Sequence, residues 1–378
     1  MTAAGLIFSN IHDSNLPELT RLRTMASVPF ACRYRLIDFA LSNMVNSDIT
    51  KVGIVTHNNY QSLMDHIGNG KDWDLSRRNG GIKFLPPFIT AYDSSIQNKI
   101  DKTRLEALMG NTHFISRCTE DYMVLMDCDV LCNIDLSDVI RQHEATGADI
   151  TIVTKSIDLS RHELSSHVIL VTHDEDGRVH HMRDFTPDMT GTHDVSMNIM
   201  VMKRHYLLNI IQDSAIHGYH SFYSDIINRN HERDNFRVYH FDGFYDVISS
   251  LPGYFRVSME MLERDNCRDL FSRANAPIYT KVRNSPPTRY TESARVERSL
   301  IADGCVIEGT VENSIIFRGV HVGKGSVVKN CILMQDCYVG TAVKLGCVVT
   351  DKNVIIKDGR HLSGHESMPF FIHKGSMI

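Results

Sequence analysis

Between residues 33 and 56 the spacing of apolar positions changes halfway along. Leu36, Ile37, Ala40, Leu41, Met44 and Val45 recur at helical intervals and line one face. Asn46, Ser47 and Asp48 end that helix and turn the chain, and KVGIVT at 51–56 then reads as a buried strand. Upstream, AAGLIF at 3–8 reads as a first strand, followed by a long loop over 9–32. In a nucleotide-binding α/β domain, such a loop is where phosphates are held. Further strands are predicted at 82–85, 122–126, 149–154, 168–172, 196–202 and 236–241, with helices at 102–115, 136–146 and 222–231. This alternation predicts an α/β fold with a mostly parallel sheet wrapped by helices.

The pattern changes near Asn275. Residues 276–292 (APIYTKVRNSPPTRYTE) carry three prolines and neither period, so they read as a linker. Beyond it, three blocks beginning at Cys305, Val322 and Val339 stack with a step of 17 residues. Asn313 falls on Asn330, Ile315 on Ile332 and Val349, and Val320 on Cys337 and Val354. Gly323 and Gly340 share one phase. Short aliphatic steps with glycine at corners and a fixed period predict a parallel β-helix of three to four coils. The expected division is 1–255 for the α/β domain, 256–295 for a helix and linker, and 296–378 for the β-helix. So few coils leave ends open to pairing, which points to a subunit contact.

Composition narrows the functional classes. A chain of 378 residues, 42% hydrophobic and 22% charged, suits a two-domain soluble globular protein. Its net charge of −5 argues against nucleic acid as the main partner. No apolar run reaches the ~18 residues of a membrane helix, and no signal-peptide pattern opens the chain. Nine scattered cysteines without a CxxC pair fit reduced thiols in the cytoplasm. Of the histidines, only His361 and His365 have suggestive spacing, and they read as surface residues without a metal. Ligands of parallel sheets sit at the carboxyl ends of strands, which points to Asp127-Cys128-Asp129 after the strand at 122–126. Carboxylates there suit a divalent cation held against a diphosphate, or equally a turn.

The signature YRLIDFALSNMVNSDI at 34–49, the linker APIYTKVRNSPP and the repeats together resemble the glucose-1-phosphate adenylyltransferases of bacterial glycogen synthesis. The resemblance covers essentially the whole chain. It implies a Rossmann-like nucleotidyltransferase domain followed by a left-handed parallel β-helix. It also implies synthesis of ADP-glucose and pyrophosphate from ATP and glucose 1-phosphate, with magnesium, in tetramers under allosteric control.

The departures from the family pattern are local. The family's phosphate loop, GGxGTRLxxLTxxRAKPAVxFGG, places its first glycines on Asn10 and Ile11 and the next on Asp13. Its Arg falls on Asn15 and its Lys on Met25, so both charged clamps are neutral here. Losing one such donor typically costs about 10²–10³ in rate. The family's sugar-side FGV falls on Ser166-His167-Val168, and its Glu-Lys pair on Asp184 and Phe185, which cannot pair with a phosphate. Ser196 matches a substrate-side serine, with Asn198 in place of the following glycine. Asp129 and Asp246 keep the family's two metal-binding aspartates, and Arg33 falls on a basic position of its activator site.

This pattern resembles the GlgD-type subunit found beside a catalytic partner. It implies a cytoplasmic hetero-oligomer, with a catalytic adenylyltransferase subunit as partner and a sugar phosphate or nucleotide as effector. Two other readings stay open. One is a competent nucleotidyltransferase, or a glycosyltransferase using Asp127 and Asp129 as a DxD site. The other is a sensor that binds a sugar nucleotide without catalysis.

Overall fold

The computed structural model describes residues 2–86, 103–159 and 168–378. Among the described residues, thirteen strands precede the repeats. They are β1 (Ala3–Phe8), β2 (Pro29–Phe30), β3 (Tyr34–Arg35), β4 (Lys51–Val55), β5 (Gly81–Leu85), β6 (Tyr122–Asp127) and β7 (Val130–Leu131). Then come β8 (Ile150–Asp158), β9 (Ile169–His173), β10 (Val179–Asp184), β11 (Thr192–Lys203), β12 (Phe236–His240) and β13 (Asp246–Val247). The helices are α1 (Pro17–Thr20), α2 (Leu36–Asn46), α3 (Gln61–Ile67), α4 (Arg104–Gly110) and α5 (Thr112–Ser116). They continue with α6 (Leu136–Thr146), α7 (Arg204–His217), α8 (Asn228–Asn230), α9 (Leu251–Glu260) and α10 (Arg264–Phe271). None of the described helices is long and apolar enough to cross a membrane.

β1 lies between β6 and β4 with all three parallel, and β5 extends that parallel part. β11 runs antiparallel to β6, and from it the sheet continues to β9 and β10 on one path and to β8 and β12 on another. Every residue of β6 is buried because helices cover both faces. Its side chains divide by the two-residue period of a strand. Val124 and Met126 join α2 in one core cluster, while Met123 and Leu125 join α7 in another. α2 packs so closely on β1 that a Cβ at Gly5 would come 2.2 Å from the Met44 sulfur.

The helix expected at 102–115 is two helices, broken at Asn111, with Thr103 capping α4 through the Glu106 N–H at 3.2 Å. The stretch at 222–231 opens as a π-helix, Phe222–Ile227, before α8. Asn228 there clasps the backbone N–H and C=O of Met182, both at 2.7 Å, and so fixes this segment to β10.

The repeats form three parallel sheets of five strands each, more coils than expected. The stack begins at Arg289–Tyr290, ahead of the repeating blocks, and ends at Phe370–Ile372 after a longer turn. Ile315, Ile332 and Val349 are direct ladder partners, in the register of the 17-residue step. Each sends its side chain into the core of the α/β domain, while Ile316 and Leu333 fill the coil interior. Gly323 is needed for space, since a Cβ there would stand 2.4 Å from the Gly340 carbonyl of the next coil.

Candidate active site

The loop expected to hold phosphates sits at the carboxyl ends of β1, β4 and β6. Its entry is fixed by the Ser9 N–H on the Val55 carbonyl at 3.0 Å, and its exit by the Ala26 N–H on the Ser9 carbonyl at 3.1 Å. Between these points the chain closes on itself through two 3₁₀ turns, Asp13–Asn15 and Met25–Ser27, around α1. The Asp13 carboxylate accepts the Met25 N–H at 2.6 Å, and the Thr20 hydroxyl donates to the Asp13 carbonyl at 2.7 Å. Burial pushes the Asp13 carboxyl up to about 7. Met25, which the sequence reading sets on the family's lysine, is fully buried with Leu16 and Leu19 in the core. Asn15 is partly exposed, and its N–H donates to the His12 carbonyl at 3.0 Å.

Beneath this loop, two arginines reach the aspartates. Asp127, at the end of β6, accepts from Arg104 Nε at 2.8 Å and from a terminal nitrogen of the same guanidinium. His12 Nε2 lies 2.9 Å from Asp127 Oδ2 and 3.9 Å from Asp129 Oδ2. Burial alone would raise the Asp127 pKa, but the Arg104 guanidinium holds this carboxyl well below the usual range. Burial works against protonation of His12, yet Asp129 and Asp127 outweigh it and raise its pKa. Asp129 goes the other way: burial raises it, reinforced by the charge of Asp127. Its Oδ1 has no hydrogen-bond partner among the described residues.

β13 pairs antiparallel with β7, which sets Asp246 opposite Leu131, and just beyond the pair the Ile248 N–H donates to the Asp129 carbonyl at 3.0 Å. Both oxygens of Asp246 are engaged by Arg256 of α9, at 2.9 and 3.0 Å. Burial, then the charges of Asp246 and Asp129, push the neighbouring Tyr245 hydroxyl well up. His12, Asp127 and Asp129 each offer one possible metal-ligand atom, all within 4.8 Å of one another. So the fold gathers Asp129 and Asp246, together with Asp127, Arg104, His12 and Arg256. Sequence reading assigned no role to those last three, since their partners are remote in the chain.

The sugar-side positions are spread over the sheet. Phe185 and Met189 pack with Tyr245 on a small apolar cluster of Ile157, Leu159, Val168, Leu170 and Val195. Asp184 is exposed at the end of β10, where it accepts the Tyr223 hydroxyl at 2.7 Å. Ser196 is buried on β11, across β9 from Asp184, and its Oγ accepts the Asn198 N–H at 3.2 Å where the strand bulges. Ser166 and His167 lie outside the described residues.

Arg33 is exposed, with its guanidinium 5.5 Å from the centre of the Tyr34 ring. A denser basic group lies nearby, where the two domains meet. Arg23 donates to both oxygens of Asp351 at 2.8 Å, and both residues are buried. Burial lowers the Arg35 pKa to about 10, and its neighbours in charge include Arg23 and Arg283. Burial, then Arg35 and Arg23, push the Lys352 ammonium down to about 7. Arg23, Arg35, Arg283 and Lys352 thus gather here, with Asp351 beside Arg23 and Lys352 and with Asp38 and Asp65 acting on Arg35. His365, of the suggestive pair, is exposed and bonds Ser367 Oγ at 2.9 Å.

Comparison with known proteins agrees with this fold. The nucleotidyl transferase profile aligns with residues 13–263, and a GlmU-like C-terminal hexapeptide profile aligns with 286–367. The hexapeptide match and the three parallel sheets fit the expected left-handed β-helix. The glycogen biosynthesis protein GlgD of Geobacillus stearothermophilus is 37% identical over 99% of this chain and 96% of its own. GlgD of Bacillus subtilis (strain 168) is 33% identical over 98% and 95%. A glucose-1-phosphate adenylyltransferase of Geobacillus stearothermophilus is 35% identical over 86% of this chain and 82% of its own. With its α/β sheet, its aspartates at the strand ends and its hexapeptide coils, the chain belongs to the nucleotidyl transferase family, in the branch shared by the GlgD proteins and the glucose-1-phosphate adenylyltransferases.

Proposed function

We propose that this chain is a glycogen-biosynthesis subunit that turns over ATP and glucose 1-phosphate weakly by itself. It assembles in the cytoplasm with a catalytic glucose-1-phosphate adenylyltransferase chain and changes that partner's rate and effector response. The observation that carries this reading is Asp13. Its carboxylate consumes the Met25 N–H, in a loop whose backbone donors would otherwise face a triphosphate. The buried Met25 and the apolar setting of Phe185 agree with it, because neither side can offer a charged clamp. The names of the relatives supply the link to glycogen.

Residues 1–255 form the nucleotidyltransferase-like part, 256–295 the helix and linker, and 296–378 the assembly part. Support for the last is an exposed stripe on one β-helix sheet. His321 and Tyr338 stack there with ring centres 4.7 Å apart, and Ile355 continues the ladder. The basic group of Arg23, Arg35, Arg283 and Lys352 suits a phosphorylated effector. To test the reading, this chain and its catalytic partner are purified separately and mixed, then assayed alone and together. Weak turnover alone, with a changed rate or effector response in the mixture, is expected. A turnover number for this chain alone that equals the partner's would contradict it.

A further inference from the structure

We infer that Arg104 and Arg256 are built-in counter-ions that take the place of a divalent cation, so that this chain neutralises its site aspartates without metal. The family's metal would need open carboxylate oxygens at ~2.0–2.1 Å, the distance magnesium demands. Asp127 has both oxygens on Arg104, with His12 on one of them as well. Asp246 has both oxygens on Arg256, and the Val247 N–H donates to one of them at 2.8 Å. Asp129 alone keeps a free oxygen among the described residues.

The two arginines arrive from separate elements, Arg104 as the first residue of α4 and Arg256 from the middle of α9. A guanidinium is always charged, and its planar fork matches a carboxylate on both oxygens. Three aspartates therefore meet two permanent cations and His12, which leaves little negative charge to attract an ion. A metal taking Asp127 and Asp246 as ligands beside Asp129 would have to displace both forks and strand Arg104, which is largely buried, without its partner.

The inference rests on the family reading but not on the partner. A chain that binds metal yet stays weak would refute this inference and leave the proposed function standing. A metal-free chain with full turnover would do the reverse. The direct probe is Mn²⁺ alone, titrated into the full chain and followed by electron paramagnetic resonance. The wild type is expected to show no saturable site at micromolar Mn²⁺. The double variant Arg104→Ala, Arg256→Ala is expected to gain affinity by roughly tenfold or more, and its melting temperature should rise by about 2–4 °C with millimolar Mn²⁺. A tight site in the wild type that disappears in Asp129→Asn would overturn the inference. So would a folded double variant that still binds no Mn²⁺. Should that variant fail to fold, the wild-type and Asp129→Asn titrations decide alone.

Discussion

Restoring the family's lysine at Met25 would place an ammonium where Leu16, Leu19 and Phe30 now exclude water. The single change Met25→Lys is therefore expected to lower stability by about 2–4 kcal/mol in a denaturant titration, with no gain in turnover. Recovery of activity needs Asp13→Gly, Asn15→Arg and Phe185→Lys as well, because such groups act as a unit. A stable Met25→Lys chain with raised turnover would contradict the closed, apolar setting of Met25. Lys352 carries the pH dependence. Its native pKa is about 7, against ~10.4 when unfolded. Between those values the unfolded chain holds a proton that the native chain lacks, so this residue's contribution to stability rises with pH from about 7 to 10. Lys352→Met should stabilise the chain at pH 6–7 by about 1–2 kcal/mol, and that advantage should fade toward pH 10. Inorganic phosphate should bind the basic group more weakly as pH passes 7, measured by calorimetry. A flat pH profile for both would remove Lys352 from the proposed effector site.

Among the elements, the β-helix was the most legible in sequence, because its step repeats one contact. Ile315, Ile332 and Val349 stand in register because each coil must present the same side chain to the same surface. The outer coils escaped that reading, since a step of fifteen residues from Leu300 and the long turn before Phe370 break the period. α6 was equally plain, with its Asp135 cap and Gly147 stop around an amphipathic stretch. The π-helical turn at Phe222 was not, because tertiary bonds from Asn228 to Met182 set it. The β-helix also closes the core: Ile315, Phe317, Ile332 and Met334 lie in the α/β cluster. Deleting it would therefore unfold more than an interface. A surface change is the cleaner probe of assembly, and Tyr338 and Ile355 remain 45% and 39% exposed. Tyr338→Glu with Ile355→Glu should abolish co-sedimentation with the catalytic chain and leave the melting temperature within a few degrees. An intact mixed oligomer would place the contact elsewhere.

At the scale of the whole molecule, the sheet sets aspartates at its strand ends, and Arg104 and Arg256 engage two of them. The motif alignment located Asp129, Asp246 and the altered loop, because those signals are contiguous in sequence. It could not locate Arg104 or Arg256, which meet their carboxylates only after α4 and α9 pack against the strand ends. His12 lay inside the aligned loop, and its role follows from Asp127, not from any motif. Nor could sequence reveal that Asp13 turns inward to accept a backbone N–H. The central claim is that this chain is a weak catalyst that works through a partner. Steady-state ADP-glucose formation by the purified chain, its catalytic partner and an equimolar mixture tests that claim most directly. The expected turnover number for this chain is at least about 100-fold below the partner's, with the mixture departing from the sum of the two. A rate for this chain comparable to the partner's, or a mixture equal to the sum of its parts, would contradict it.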